Sequence, residues 1–227
     1  MKPGGRAQRI GILGGTLDPI HLGHVETARV ATEALSLTSL VVLPSRVPPH
    51  RQHGPSASPF HRFAMAVLAV NHLPDMMVSD EELCTEGPSY TVLTLERLAA
   101  RWGDGSQIFF ITGADAFAEI ETWYQYPAVL DLAHFAVISR PGMPVHLLGE
   151  RLPMLRPRFR DAGGTGEPAQ ARWIYLIDAS TPEVSSTEIR RRLRAGESIQ
   201  GMVPADVEVH IRRHGLYRES STADHLQ

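Results

Sequence analysis

The segment Gly14-Gly15-Thr16-Leu17-Asp18-Pro19-Ile20-His21-Leu22-Gly23-His24 concentrates groups able to bind and polarise a polyanion. Paired glycines let the backbone approach a ligand closely, because no Cβ stands in the way. Thr16 adds a hydroxyl. His21 and His24 stand three apart at the opening of an expected helix, so both rings can share one face beside the unbonded N–H groups of the first turn. Helix-end charge, backbone donors and two imidazoles suit a polyphosphate, with the histidines donating to oxygens that gain charge in a transition state. A purely structural strand-to-helix turn fits the same spacing. A zinc site fits it less well, since no third ligand of matching spacing accompanies the histidines.

Such a loop needs a strand ending at it and a helix leaving it. Ile10 to Leu13 reads as a short buried strand, and Val25, Ala28, Ala31, Thr32 and Leu35 recur at helical spacing after Leu22. Leu40 to Leu43 reads as a second strand. Pro48, Pro49, Pro55 and Pro59 mark a loop over Ser45 to Ser58, followed by a helix to Asn71. Further strands are expected at Met76–Ser79, Gln107–Thr112, Phe135–Ser139 and Trp173–Ile177. Helices are expected at Thr91–Trp102, Ala114–Ile120, Ala128–Leu132, Thr187–Arg194 and Pro204–His214. This alternation predicts an α/β fold: a Rossmann-like, doubly wound, mostly parallel sheet with helices on both faces and ligands at the carboxyl ends of its strands.

One domain is expected over residues 9–217, its C-terminal part (185–217) helical, between a flexible N-terminus (1–8) and a flexible tail (218–227). Residues 156–172, rich in Gly, Pro and Arg, read as a mobile insertion dispensable for activity. The dinucleotide fingerprint G-x-G-x-x-G is absent, so this topology need not bind NAD. A P-loop is excluded because Lys2 is the only lysine.

Over 227 residues, 43% hydrophobic and 21% charged side chains describe an ordinary globular protein that buries a core without covalent staples. A formal charge of −3 offers no global positive field, so neither nucleic acid nor a membrane surface is expected as partner. Arg156-Pro157-Arg158-Phe159-Arg160 is a single basic cluster and does not change that. Cys84 is the only cysteine, which points to a reducing compartment and a cytoplasmic protein. Ile10 to Leu13 is too short for a signal-peptide core, and no apolar run reaches the length of a membrane span. Self-association stays open, on the general frequency of oligomers alone.

Gly14 to His24 resembles the GGTFDPIHxGH signature of the nucleotidylyltransferase superfamily, with Leu17 in place of the usual phenylalanine. Later segments resemble the bacterial nicotinate-nucleotide adenylyltransferases: Val47-Pro48-Pro49-His50-Arg51, Gly87-Pro88-Ser89-Tyr90-Thr91, Phe110-Ile111-Thr112-Gly113-Ala114-Asp115, Thr122-Trp123-Tyr124 and Val184-Ser185-Ser186-Thr187-Glu188-Ile189-Arg190. The match spans residues 9 to 217, and Arg156 to Arg172 has no counterpart in the pattern. Ser185-x-x-Glu188 also fits a capping box, which is compatible with a phosphate-facing helix start.

The resemblance implies transfer of AMP from ATP to nicotinate mononucleotide, giving deamido-NAD and pyrophosphate. It implies that His21 and His24 stabilise the departing charge, while Gly14, Gly15 and Thr16 shape the phosphate loop and Asp18, grouped with them as phosphate-binding, orders it. Ser186, Thr187 and Arg190 would grip ATP phosphates, Asp115 a ribose, and His50 and Arg51 would close over the phosphates. Trp123 would stack on the pyridine ring, with Thr91 and the Tyr124 backbone on its carboxylate. Mg2+ would arrive mainly on the ATP phosphates, with no protein ligand assigned. Rival acceptors are nicotinamide mononucleotide, phosphopantetheine and FMN; a rival class is a nucleotide-binding sensor without turnover.

Overall fold

The computed structural model describes residues 8–49, 54–103, 106–162 and 171–218. Along them run β1 (Gln8–Gly15), α1 (Leu22–Leu35), β2 (Ser39–Pro44), α2 (Pro59–Val70), β3 (Met76–Val78), α3 (Thr91–Trp102) and β4 (Ser106–Gly113). Then follow α4 (Ala114–Phe117), β5 (His134–Ile138), α5 (Leu148–Arg151), β6 (Phe159–Asp161), β7 (Ile174–Ile177), α6 (Ser186–Arg194) and α7 (Ala205–Arg213). All seven strands join one parallel sheet in the order β3-β2-β1-β4-β5-β7-β6. The chain winds outward from β1 to β3, returns to β4 and then winds the other way. The direction therefore reverses between β1 and β4, where an open sheet leaves a crevice at its carboxyl edge.

The strands read as near-continuous apolar runs because both faces are covered. Alternate residues face opposite sides. Leu13, Phe109, Ile111, Ala136 and Ile138 pack with Ala28, Ala31 and Leu35 of α1, Met65 and Ala69 of α2, and Val207 and Ile211 of α7. Ile12, Phe110, Phe135 and Val137 face Val92, Leu95 and Leu98 of α3 and Phe117 of α4. The expected doubly wound α/β architecture is therefore the observed one, although β1 is longer than expected at both ends, α4 stops at Phe117 short of the expected Ile120, and Ala128–Asp131 is a 3-10 helix.

The stretch from Arg156 corrects the expectation of a mobile insertion. Pro153–Arg158 is a 3-10 helix, and β6 pairs in parallel with β7, Phe159 opposite Ile174. Arg158 ion-pairs with Asp131 at 2.6 Å, and the Arg160 guanidinium lies 3.7 Å over the Trp173 ring. Three residues are too few to display a period, so the pairing offered by β7 decides the strand, not local pattern. Deleting Arg158 to Gln170 would take an edge strand out of the sheet. Residues 163–170 lie outside the described residues, as do 1–7 and 219–227 of the two ends expected to be flexible. Among the described residues no helix is long and apolar enough to cross a membrane.

Candidate active site

The histidine pair stands where β1 hands over to α1. His21 is the N-cap, in extended conformation, and its N–H donates to His24 Nδ1 at 3.3 Å. With Nδ1 accepting, a neutral His24 carries its proton on Nε2, which makes that atom a donor. His21 is 2% exposed, and its Nδ1 has no hydrogen-bond partner among the described residues. The ring centroids are 3.7 Å apart, tilted by 34°. Between them Gly23 leaves little room: a Cβ there would stand 3.1 Å from the His21 ring and 3.4 Å from Arg140 Nη1.

Arg140 arrives from just beyond the end of β5. A Cβ on Gly113, at the end of β4, would press on Asp115 Oδ1 and come within 2.9 Å of Arg140 Cγ, so the arginine crosses that strand end toward the histidines. Burial, then the Arg140 charge, pushes His21 down to about 3. Burial, His21 and Arg140 in that order hold His24 well below the ordinary 6.5. Both rings are therefore neutral donors or acceptors beside a fixed cation. His134, pushed by burial to about 4, and His210 are also lowered.

These four shifts predict acid lability. A base with a lowered folded value takes up its proton more readily when unfolded. Its contribution is thus complete above 6.5 and lost as pH falls toward the folded value. The melting temperature is expected to fall on lowering pH from 6.5 to 4.5, before ordinary glutamates titrate. A level melting temperature across that window would contradict the assignment.

The loop between β1 and the histidines is braced from below. Leu17 adopts φ +50°, a strained conformation for a branched side chain, and buries it at 2% exposure. Asp18 is fully buried; its carboxylate accepts from Ser56 N–H at 2.8 Å, Ala57 N–H at 3.0 Å and Tyr217 O–H at 2.9 Å. Arg190 donates to the Asp18 carbonyl at 2.6 Å and to Thr187 Oγ1 at 3.2 Å, and Ser186 Oγ donates to the Pro19 carbonyl at 2.9 Å. Ser185 caps α6 by accepting from Glu188 N–H at 3.2 Å, while the Glu188 carboxylate pairs with Arg191 and Arg192, so only half of a capping box forms. Arg62, also fully buried, donates to the carbonyls of Thr16, Ser45, Arg46 and Ala57.

A cleft of about 290 Å³ opens beside this loop at the β1/β4 crevice. Gly14, Gly15 and Thr16 form one wall; Thr91, Trp123 and Tyr124 line it with Pro48, Pro49, Tyr90, Thr94 and Phe110. Trp123 packs edge-on against Phe110 at 5.9 Å, and Tyr124 stacks on Tyr90 at 4.3 Å.

The structure thus brings together Gly14, Gly15, Thr16, Thr91, Trp123 and Tyr124, with His21 and His24 at the loop's far end. Asp115 is exposed in the first turn of α4. Asp18 orders the loop as a brace and is corrected only as a phosphate-binding residue, because its carboxylate is occupied and inaccessible. Ser186, Thr187 and Arg190 are engaged with each other and with that loop. His50 and Arg51 lie outside the described residues. Sequence reasoning missed Arg140, whose signal was a charged residue just past a strand's carboxyl end. It also missed Arg62, which shares the i, i+3, i+4, i+7 stripe of Met65, Ala66 and Ala69, an arginine on an apolar face. Among the described residues no group of three or more His, Cys, Asp or Glu side chains could hold a metal ion.

A strand-reversal crevice with a paired-histidine helix start defines a nucleotidyl-transferring class of protein, and residues 12–192 match the family described as Cytidylyltransferase-like. Relatives narrow it. Proteins of Desulfatibacillum aliphaticivorans and Moorella thermoacetica, each named "Probable nicotinate-nucleotide adenylyltransferase", are 39% and 38% identical to this chain. The first alignment covers 92% of this chain and 99% of the relative, the second 94% and 93%. The chain belongs to the nicotinate-nucleotide adenylyltransferase family. Its fold matches that of a Plasmodium falciparum nicotinic acid mononucleotide adenylyltransferase complexed with NaAD, with a TM-score of 0.70 at 17% identity, covering 92% of this chain and 97% of that one. The same enzyme complexed with APC gives 0.65 at 19% identity over 92% and 97%.

Proposed function

We propose that this protein transfers AMP from ATP to nicotinate mononucleotide, releasing pyrophosphate and forming the deamido dinucleotide used in NAD biosynthesis. The observation that carries the reading is that one loop, Gly14 to His24, both walls the ring-sized cleft and presents two uncharged histidines beside Arg140. A mononucleotide phosphate oxygen attacks the α-phosphorus of ATP in line, and pyrophosphate leaves. No enzyme nucleophile is required. The protein aligns two polyanions and stabilises the charge that grows on the leaving group.

His24 Nε2–H donates to that leaving group, His21 supplies a second polar contact, and Arg140 a fixed positive charge. Gly14, Gly15 and Thr16 let the phosphates approach the backbone. Mg2+ carried in on the ATP phosphates belongs to the proposal and would screen their charge. Ser186, Thr187 and Arg190 serve the phosphates chiefly by holding the Asp18-Pro19 turn, and exposed Asp115 is free to meet a ribose. His50 and Arg51, outside the described residues, are assigned to the phosphates on the family resemblance alone. Thr91 and the Tyr124 backbone take the ring carboxylate, and Trp123 takes the ring face. The exposed, unpaired Cys84 suits the reducing cytoplasm proposed for the protein.

Pyrophosphate release with ATP and Mg2+, compared across nicotinate mononucleotide, nicotinamide mononucleotide, FMN and phosphopantetheine, tests the reading. Release with the first and much less with the second is expected. Release only with another acceptor would keep the chemistry and overturn the acceptor, and silence with all four would favour a binding protein. In the same assay Trp123→Ala is expected to raise the KM of the mononucleotide about tenfold, the scale of a lost aromatic stack with its buried area, with a smaller change for ATP. The reverse ordering would sink the ring-pocket assignment.

A further inference from the structure

Glu82 stands in the turn after β3 and lines the same cleft as Thr91, Trp123 and Tyr124. It is 6% exposed. Its Oε1 accepts from Thr94 Oγ1–H at 2.6 Å, while Oε2 is buried with no hydrogen-bond partner among the described residues. Thr94 lies one helical turn along α3 from Thr91, the hydroxyl assigned above to the ring carboxylate.

The charged groups around Glu82 are committed elsewhere. Arg97, from α3, gives Nη2 to Thr94 Oγ1 at 3.2 Å and holds Nε 3.5 Å from Glu81. Arg46, from the loop after β2, turns Nη1 to the carbonyls of Thr85 and Leu83. Tyr90 is stacked on Tyr124. An ionised Glu82 would bury a charge whose Oε2 has no close donor among the described residues, whereas the acid form carries no charge. Burial accordingly pushes the carboxyl up, against the smaller opposing pulls of Ser89, Thr94, Arg97 and the Arg46 backbone.

We propose that Glu82 is a specificity-determining residue of the acceptor pocket: standing in its wall as an uncharged acid, it admits a ring carboxylate, and once ionised it turns the pocket against that carboxylate in favour of a neutral amide. The effect needs no direct contact, because like charges in a poorly solvated pocket repel through space. It rests on the acceptor reading given above. Nicotinate and nicotinamide mononucleotides differ at that one substituent, and their phosphates titrate alike, near pH ~6. The ratio of their kcat/KM values therefore cancels the phosphate titration, and the comparison with a Glu82 variant assigns what remains.

The experiment follows that ratio from mildly acidic to alkaline pH in the wild type and in Glu82→Gln, which keeps an acceptor for Thr94 and cannot ionise. In the wild type the preference for the acid is expected to fall about tenfold as pH rises, the scale of one nearby like charge, through the KM of the acid acceptor and not through kcat. Glu82→Gln is expected to hold the high preference across the range, with the KM for ATP unchanged. A wild-type ratio that stays level, or a Glu82→Gln ratio that falls as the wild type does, overturns the proposal. Should Glu82→Gln fail to fold, a level wild-type ratio still overturns the proposal, and Glu82→Met, which also cannot ionise, takes its place in the comparison. Absence of wild-type turnover with nicotinate mononucleotide overturns the acceptor reading and this proposal with it; turnover with a level ratio overturns only the role of Glu82.

Discussion

Replacing His24 by alanine is expected to lower turnover by about 100-fold or more, the size of one lost transition-state donor, with little change in either KM. The expectation follows from the hydrogen-bond pattern at the start of α1. Because Nδ1 accepts from His21 N–H, the proton of the neutral ring sits on Nε2, and burial with Arg140 keeps the ring neutral. A neutral donor strengthens as charge grows on its partner, which helps the transition state more than the ground state. The fold should survive, since the variant frees one N–H at a helix start, a cost of about 0.5–2 kcal/mol. His24→Gln, whose amide can donate from near the Nε2 position, should recover part of the rate. A fully active His24→Ala enzyme would falsify the role.

Arg62→Ala should be among the most destabilising single changes available in this protein. The guanidinium is fully buried and bonds four backbone carbonyls from three segments, at 2.7 Å to Thr16, 2.6 Å to Ser45, and 3.3 Å to Arg46 and Ala57. Removing it leaves those carbonyls unsatisfied and opens a cavity, a loss of about 3–5 kcal/mol. For a chain of this length that is about 10 °C in melting temperature. Arg62→Lys should rescue little, because an ammonium is a point donor and cannot span carbonyls arranged around a planar fork. Thr16 also leads into the histidine loop, so activity measured below the melting transition should fall with stability. An unchanged melting temperature would show that the four bonds carry no net weight.

The two sites differ in how visible they were before the fold was known. His21 and His24 announce themselves through three-residue spacing beside paired glycines, and the strand, loop and helix that carry them are each encoded within a few residues. The same holds for α3, whose apolar stripe Leu95 and Leu98 matches its observed span, and for β4 and β5. Thr91, Trp123 and Tyr124 were singled out by family resemblance, and the cleft then gathers them with Gly14 to Thr16. Arg62 was readable only as an oddity on an apolar stripe. Glu82 carried no local sign, because an acidic residue in a turn is ordinarily solvated.

Short-range pattern was sufficient for the α/β architecture, the location of the loop and the pair of histidines, since apolar periodicity, glycine freedom and helix-start chemistry all act within about one or two turns of chain. The histidines set each other's hydrogen bonding locally, but the cation beside them and the braces under their loop come from far away. Arg140 reaches them from beyond β5, Tyr217 meets Asp18 across 199 residues, and Arg190 meets the Asp18 carbonyl across 172. β6 exists as a strand only because β7 lies beside it. Charge state, burial and edge pairing depend on neighbours that the winding of the sheet brings together, and no window of sequence contains both partners.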